Sequence, residues 1–391
     1  MRVRGRLLVV VAAIGLAASG CSSATSSEPP KPSDTSSTTA KPPVKAAVLS
    51  VTPAKDATDI APGEPVTVTV ADGKIGEVKL TGADGKVVAG KPRPDGGGWD
   101  SAEPLGYGKK YTLAATATGS DGKPVTSESS FTTVKPARQL GVSVNVSDGQ
   151  TVGVGMPVIF SFSGNVPDHA AAERAIKVTS EPAQEGAFRW FGDKQLIWRP
   201  KDYWRSGSKI SVDAAIYGKS LGNGTFGRQD VSVKAAVGDK LIVIADGESH
   251  QATVTVNDKD VRTIPISMGK PGHNTPLGTY TVISEHNNYI MDSSTYGVPA
   301  DSPGGYRTLI QYAVRLSWSG IFFHSAPWSV PQQGKRNVSH GCINMSTDNA
   351  KWLMDTAKPG DIFTVKNSGG PALDPSDGWS VWQLSWDAWK S

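Results

Sequence analysis

The chain has 391 residues, a formal net charge of +4 and 38% hydrophobic residues, with 43 glycines, 27 prolines and 11 tryptophans. That length supports two or three globular cores, and so small a charge, spread along the chain, excludes the electrostatic footprint of a nucleic-acid binder. Two cysteines and six histidines without paired ligand spacing argue against a disulfide framework and against a zinc site.

The first residues read as an export signal. Arg2, Arg4 and Arg6 precede an apolar run over 7–18, which ends in Ser19-Gly20-Cys21. The run is too short for a membrane span. A cysteine directly after small residues resembles the bacterial lipobox, so Cys21 is expected to carry a palmitate-type lipid. The exported lipoprotein would then be anchored to the outer face of the cell membrane, facing the periplasm and cell wall. Residues 22–46 are Ser, Thr, Pro and Lys with little apolar content, which cannot offset the entropy of folding, and they read as a tether.

From 47 to 136, short alternating runs such as Val66-Thr67-Val68-Thr69-Val70 and Tyr111-Thr112-Leu113-Ala114-Ala115 are separated by Gly, Asp-Gly and Pro turns. That spacing predicts an immunoglobulin-like β-sandwich. The order of strands and turns recurs over 137–237, where Pro157-Val158-Ile159-Phe160-Ser161-Phe162 echoes the run that starts at Pro65. Neither unit carries a nucleophile with a base, so both read as spacers. His169 reads as a solvated loop residue. Trp190, Trp198 and Trp204 suit a core or a seam between units better than a glycan platform.

A third, mostly β unit spans 238–368. It opens on the buried-strand run Leu241-Ile242-Val243-Ile244-Ala245 and contains a loop punctuated by Gly and Pro from Gly269-Lys270-Pro271 to Thr275-Pro276-Leu277-Gly278. Between Asn287 and Tyr312 a long loop with Met291, Tyr296, Gly304, Gly305 and Tyr306 suggests a lid. One helix is expected over 347–357, capped by Ser346 or Thr347 and stopped by Pro359-Gly360.

The chemistry concentrates in Ser339-His340-Gly341-Cys342-Ile343-Asn344, preceded by the strand-like run Ile321-Phe322-Phe323-His324 and by Ser325. Cys342 is the only cysteine outside the targeting segment. A thiol near its ordinary pKa of ~8.5 is a few per cent ionised at neutral pH, so a positioned imidazole must take its proton or lower that value. His324 is the first candidate base and His340 the second. Gly341 lets the backbone approach a substrate and lets N–H groups converge on an oxyanion.

Together, Gly269-Lys270-Pro271, Thr275-Pro276-Leu277-Gly278, Phe323-His324-Ser325-Ala326 and the Ser339 to Asn344 motif resemble the L,D-transpeptidase (YkuD-type) catalytic domain, in particular its actinobacterial, mycobacterial-type members. The resemblance implies a mixed β fold of barrel type behind two tandem immunoglobulin-like sandwiches. It implies 3→3 cross-linking of peptidoglycan stem tetrapeptides, diaminopimelate to diaminopimelate, through an acyl-enzyme and with no cofactor. Cys342 would be the nucleophile and His324 the general base and acid, oriented by the carbonyl of Ser325. His340 and the N–H groups around Gly341 would hold the oxyanion. Met291, Tyr296, Tyr306, Ser319, Gly320 and Asn344 would contact the peptide. Carbapenem β-lactams would acylate the thiol.

The tail, 369–391, carries Trp379, Trp382, Trp386 and Trp389, a spacing that puts four indoles on one helical face and predicts docking on the catalytic unit. Four rival readings meet the same residues. A sortase needs an arginine after the thiol, and none follows Arg336. Papain-like enzymes place the cysteine before the histidine. A lipoprotein that only braces the wall would have no use for the thiol, and an L,D-carboxypeptidase would use it with water as acceptor.

Overall fold

The computed structural model describes residues 44–391, and the export signal, Cys21 and the tether up to residue 43 lie outside the described residues. Over 48–132 two four-stranded sheets enclose a core of Val66, Val68, Leu80, Trp99, Leu113 and Phe131. The strand Lys110–Gly119 buries every second side chain, the period expected of a sheet with one wet face. Over 142–237 two more four-stranded sheets repeat the plan around Val158, Phe160, Leu196, Trp198 and Trp204, with one parallel pair between Thr151–Val152 and Val231–Val237.

The two units share one local detail. In the first unit a Cβ on Gly90 would fall 1.9 Å from the Trp99 ring, and in the second a Cβ on Gly186 would fall 1.9 Å from the Trp198 ring. Each indole lies across a glycine of the neighbouring strand, and the paired residue is the glycine plus two in both, Pro92 opposite Trp99 and Phe188 opposite Trp198. Trp198 and Trp204 stack at 5.2 Å inside the second core, as read from the sequence. His169 departs from its reading as a solvated loop residue. It opens the helix His169–Arg174, capped by Asp168, and stacks on Trp190 at 3.9 Å.

The third unit holds two sheets. A five-stranded sheet has the order Lys259–Pro265, Gln251–Val256, Leu241–Asp246, Ile362–Lys366, Gly278–Thr281. A four-stranded sheet runs Ser284–Asp292, Arg307–Arg315, Phe322–Ser325, Ile343–Met345. Single bridges from Ser267 to Asn344 and from Gly269 to Ser339 connect them, and no closed ring of strands forms among the described residues. The helix Thr347–Thr356 starts where expected, with the Ser346 hydroxyl accepting from the Asn349 N–H at 3.3 Å.

Two expectations are corrected. The long lid loop is shorter than read, because Ser284–Asp292 and Arg307–Arg315 pair as far as Asp292 opposite Arg307. Its alternation was masked by exposed apolar residues, Ile290 and Leu309, opposite each other on the outer face. The tail is not one helical face, since Ser385 caps a new turn between Val381–Gln383 and Trp386–Lys390. Nor does it dock on the third unit alone. Trp389 is fully buried beside Ile159 and Ile197 of the second unit and donates its indole N–H to the Ala187 carbonyl at 2.9 Å. The buried Arg199 guanidinium lies 4.6, 5.4 and 4.9 Å from the rings of Trp382, Trp386 and Trp389. Toward the third unit, Gln383 accepts from the Thr279 N–H at 2.7 Å.

Candidate active site

The strand Phe322–Ser325 is buried along its whole length, between Arg307–Arg315 on one side and Ile343–Met345 on the other. Phe322 and Phe323 are fully packed, and His324 is a buried polar residue of the strand, 4% exposed and paired across to Asn344. Its Nδ1 lies 2.9 Å from the carbonyl oxygen of Ser325, which accepts only. Nδ1 therefore carries the proton and Nε2 is left as the basic nitrogen. Burial pushes the imidazole down to about 4, against the opposing pull of that hydrogen bond.

Cys342 sits on a turn braced by side chains. The Ser339 hydroxyl donates to the Cys342 carbonyl at 2.6 Å and accepts from the Gly341 N–H at 3.1 Å, while the buried Thr275 hydroxyl donates to the Gly341 carbonyl at 2.7 Å. Gly341 has φ +126°, and a Cβ there would press on Ile321 Cδ1 at 3.3 Å, so the position demands glycine. The Cys342 thiol is 9% exposed, donates to the Gly320 carbonyl at 3.4 Å and is pushed up to about 11 by burial. At neutral pH the resting pair is thus a neutral thiol and a neutral imidazole. The Gly341 N–H, expected to face an oxyanion, is already spent on Ser339.

His340 is placed differently from His324. Its Nε2 is 3.2 Å from the Lys270 ammonium, its ring meets Tyr306 at 5.6 Å, and His273 stands edge-on at 5.0 Å. An ammonium only donates, so Nε2 accepts and Nδ1 holds the proton. Partial burial, with Lys270 and His273 nearby, lowers its pKa and keeps the ring neutral. His340 is therefore a hydrogen-bond donor through Nδ1 rather than a base.

His324, His340 and Cys342 line one cavity of about 510 Å³, together with Met291, Tyr306 and Asn344 from the expected set. The other expected residues take supporting places. The Ser319 hydroxyl and N–H are bound to Asp377 of the tail, Gly320 offers its carbonyl to the thiol, and Ser325 holds the imidazole. Tyr296 ends the short turn Ser293–Tyr296. The Asn344 side-chain amide donates to Ser329 at 3.1 Å. Trp328 lines the cavity beside His324, 57% exposed with its ring 6.1 Å away.

Sequence reasoning missed four contributors: Lys270, which fixes the His340 tautomer; Thr275, which braces Gly341; and Gln332 and Arg336, which line the cavity. Lys270 and Thr275 were in view within the Gly269 to Gly278 loop, and the interval of four joining Trp328, Gln332 and Arg336 was the signal for the others. Among the described residues no group of three or more His, Cys, Asp or Glu could hold a metal.

Comparison with known proteins agrees with this geometry. The family model described as the L,D-transpeptidase catalytic domain matches residues 239–366, and a bacterial Ig domain model matches 57–220. L,D-transpeptidase 2 of Mycobacterium tuberculosis is 45% identical over 327 residues, covering 84% of this chain and 80% of that protein. L,D-transpeptidase 5 of the same species is 37% identical over 361 residues, covering 90% and 78%. A solved structure of an LD transpeptidase in complex with imipenem aligns with a TM-score of 0.51 at 40% identity, over 57% of this chain and 98% of that one. The chain belongs to the L,D-transpeptidase family and is an enzyme of that family, with the catalytic domain behind a bacterial Ig region.

Proposed function

We propose that this L,D-transpeptidase forms 3→3 peptidoglycan cross-links through an acyl-enzyme on Cys342. The observation that carries the reading is the tautomer of His324: with Nδ1–H held by Ser325, the basic Nε2 belongs to a ring that shares a cavity with the thiol. His324 takes the thiol proton as Sγ attacks the carbonyl at the L-centre of diaminopimelate in a tetrapeptide donor. The tetrahedral oxyanion accepts from His340 Nδ1–H, an interaction worth about 3 to 4 kcal/mol in comparable sites. Its collapse breaks the amide bond, and His324 returns the proton to the departing D-alanine amine. The side-chain amine of an acceptor diaminopimelate then attacks the thioester, giving its proton to His324 and restoring the thiol.

By the same reading carbapenems acylate Cys342, an expectation supported by the relative solved with imipenem. The organisation follows the sequence: a lipid-anchored, exported chain with a tether over 22–46, two tandem immunoglobulin-like spacers over 47–136 and 137–237, a barrel-type catalytic unit over 238–368 and a bracing tail over 369–391. The repeated glycine–tryptophan crossing supports the tandem pair, and the bridges at Ser267 and Gly269 support the barrel-type unit. The test is incubation with disaccharide tetrapeptide and mass spectrometry of the products. A dimer joined through two diaminopimelate residues is expected; D-alanine release without dimer would assign a carboxypeptidase instead.

A further inference from the structure

Trp328, Gln332 and Arg336 recur at intervals of four along the segment that leads to Ser339, and all three line the cavity. The interval is imposed by the backbone. The Gln332 N–H donates to Ser329 at 2.9 Å and the Arg336 N–H to Gln332 at 3.0 Å, so successive turns present the same face. The turn is pinned from behind by Gln333, whose buried amide donates to the Ala326 carbonyl at 3.1 Å and the Ser329 hydroxyl at 3.2 Å.

Among the described residues, Arg336 is the one permanently charged side chain that lines the cavity, and no acidic residue lines it. Other arginines around the site are engaged: Arg307 pairs with Asp292 at 3.3 Å, and Arg315 donates to Ser317 and Tyr289. Arg336 is exposed, and among the described residues no carboxylate pairs with it. An unpaired guanidinium in a cavity wall keeps its planar set of donors for a ligand, and its fork matches a carboxylate in a way that an ammonium cannot.

We propose that Arg336 is a specificity-determining residue that binds a carboxylate of the donor stem peptide. The inference rests on the reading of this cavity as the stem-peptide site. Two carboxylates of a tetrapeptide donor have the required chemistry, the terminal one on D-alanine and the second carboxylate of diaminopimelate, and amidation of either one separates them. A donor amidated at the recognised position loses the charged contact while keeping its scissile bond.

The experiment uses the full chain and follows D-alanine or D-alaninamide release from three donors: the free acid, the C-terminal amide and the diaminopimelate side-chain amide. On the free acid, Arg336→Gln raises KM by about tenfold or more and leaves kcat within about twofold, as expected for a contact equal in ground and transition states. On one of the amidated donors wild type and Arg336→Gln have the same KM, which identifies the carboxylate. Arg336→Lys recovers part of the loss on the free acid. An unchanged KM for Arg336→Gln on the free acid, or an equal loss on all three donors, overturns the assignment of Arg336 alone. A wild type that turns over none of the donors overturns the stem-peptide reading and this proposal with it.

Discussion

The thiol of Cys342 donates to the main-chain oxygen of Gly320 at 3.4 Å, and this contact ties the thiol to the tail of the chain. The residue before that acceptor, Ser319, gives its N–H and its hydroxyl to the two carboxylate oxygens of Asp377 in the tail. The tail in turn is fastened to the second unit by Trp382, whose indole N–H donates to the Gly155 carbonyl at 2.8 Å, and by Trp389. Position of the thiol's partner and docking of the tail are thus one structural matter.

Asp377→Ala is expected to free the Ser319–Gly320 turn. Losing hydrogen bonds to a charged acceptor costs about 1.5 to 3 kcal/mol, and Cys342 acylation by a carbapenem should slow several-fold. Stopped-flow acylation rates beside thermal melts check this; a lower Tm with an unchanged rate would mean that the turn does not position the thiol.

The neutral thiol and neutral imidazole set a pH dependence with a definite sign. Burial raises Cys342 to about 11 and lowers His324 to about 4, so neither group ionises between those values at rest. Alkylation of Cys342 by iodoacetamide should therefore keep rising through pH 9 to 10, and turnover should keep its acid limb well below the usual imidazole range of ~6.5. An alkylation plateau from about pH 6 upward, the signature of a preformed thiolate–imidazolium pair, would refute it.

Lys270→Met removes the donor that fixes the His340 tautomer and the positive charge that, after burial, helps to lower its pKa. The His340 imidazole should then titrate at higher pH in two-dimensional NMR spectra, and kcat should fall by less than in His340→Ala, where loss of an oxyanion donor costs about 100- to 1,000-fold. Equal losses in the two variants would give Lys270 a direct part in the reaction.

The fold was legible where burial is set locally. Alternation in Tyr111-Thr112-Leu113 and the Ser346 cap are properties of neighbouring residues, and the thiol and histidines stood out because functional groups rarely interrupt apolar strands. What escaped depended on distant partners. Nothing near Trp389 in the sequence points to Arg199 or Ala187, and nothing near Ser319 points to Asp377. The Gly341 N–H looked available because its acceptor is a side chain two residues earlier, not a strand partner. The lid was misread because Ile290 and Leu309 face outward and blur the period of two.

Trp389→Ala should be the most destabilising single change in the tail. Truncating a fully buried aromatic side chain costs about 3 to 5 kcal/mol, and here the indole N–H bond to Ala187 is lost as well. Differential scanning calorimetry of the full chain should show a clearly lower transition, and a Tm unchanged within error would contradict the described docking.

The destination of the acyl group is the most direct test of the Cys342 acyl-enzyme. Protein incubated with a tetrapeptide donor and no acceptor, quenched in acid and mapped by mass spectrometry, should carry the tripeptide acyl group on the peptide that contains Cys342. The adduct and D-alanine release should both vanish in Cys342→Ala. An adduct on another residue, or D-alanine released at the wild-type rate by Cys342→Ala, would contradict it.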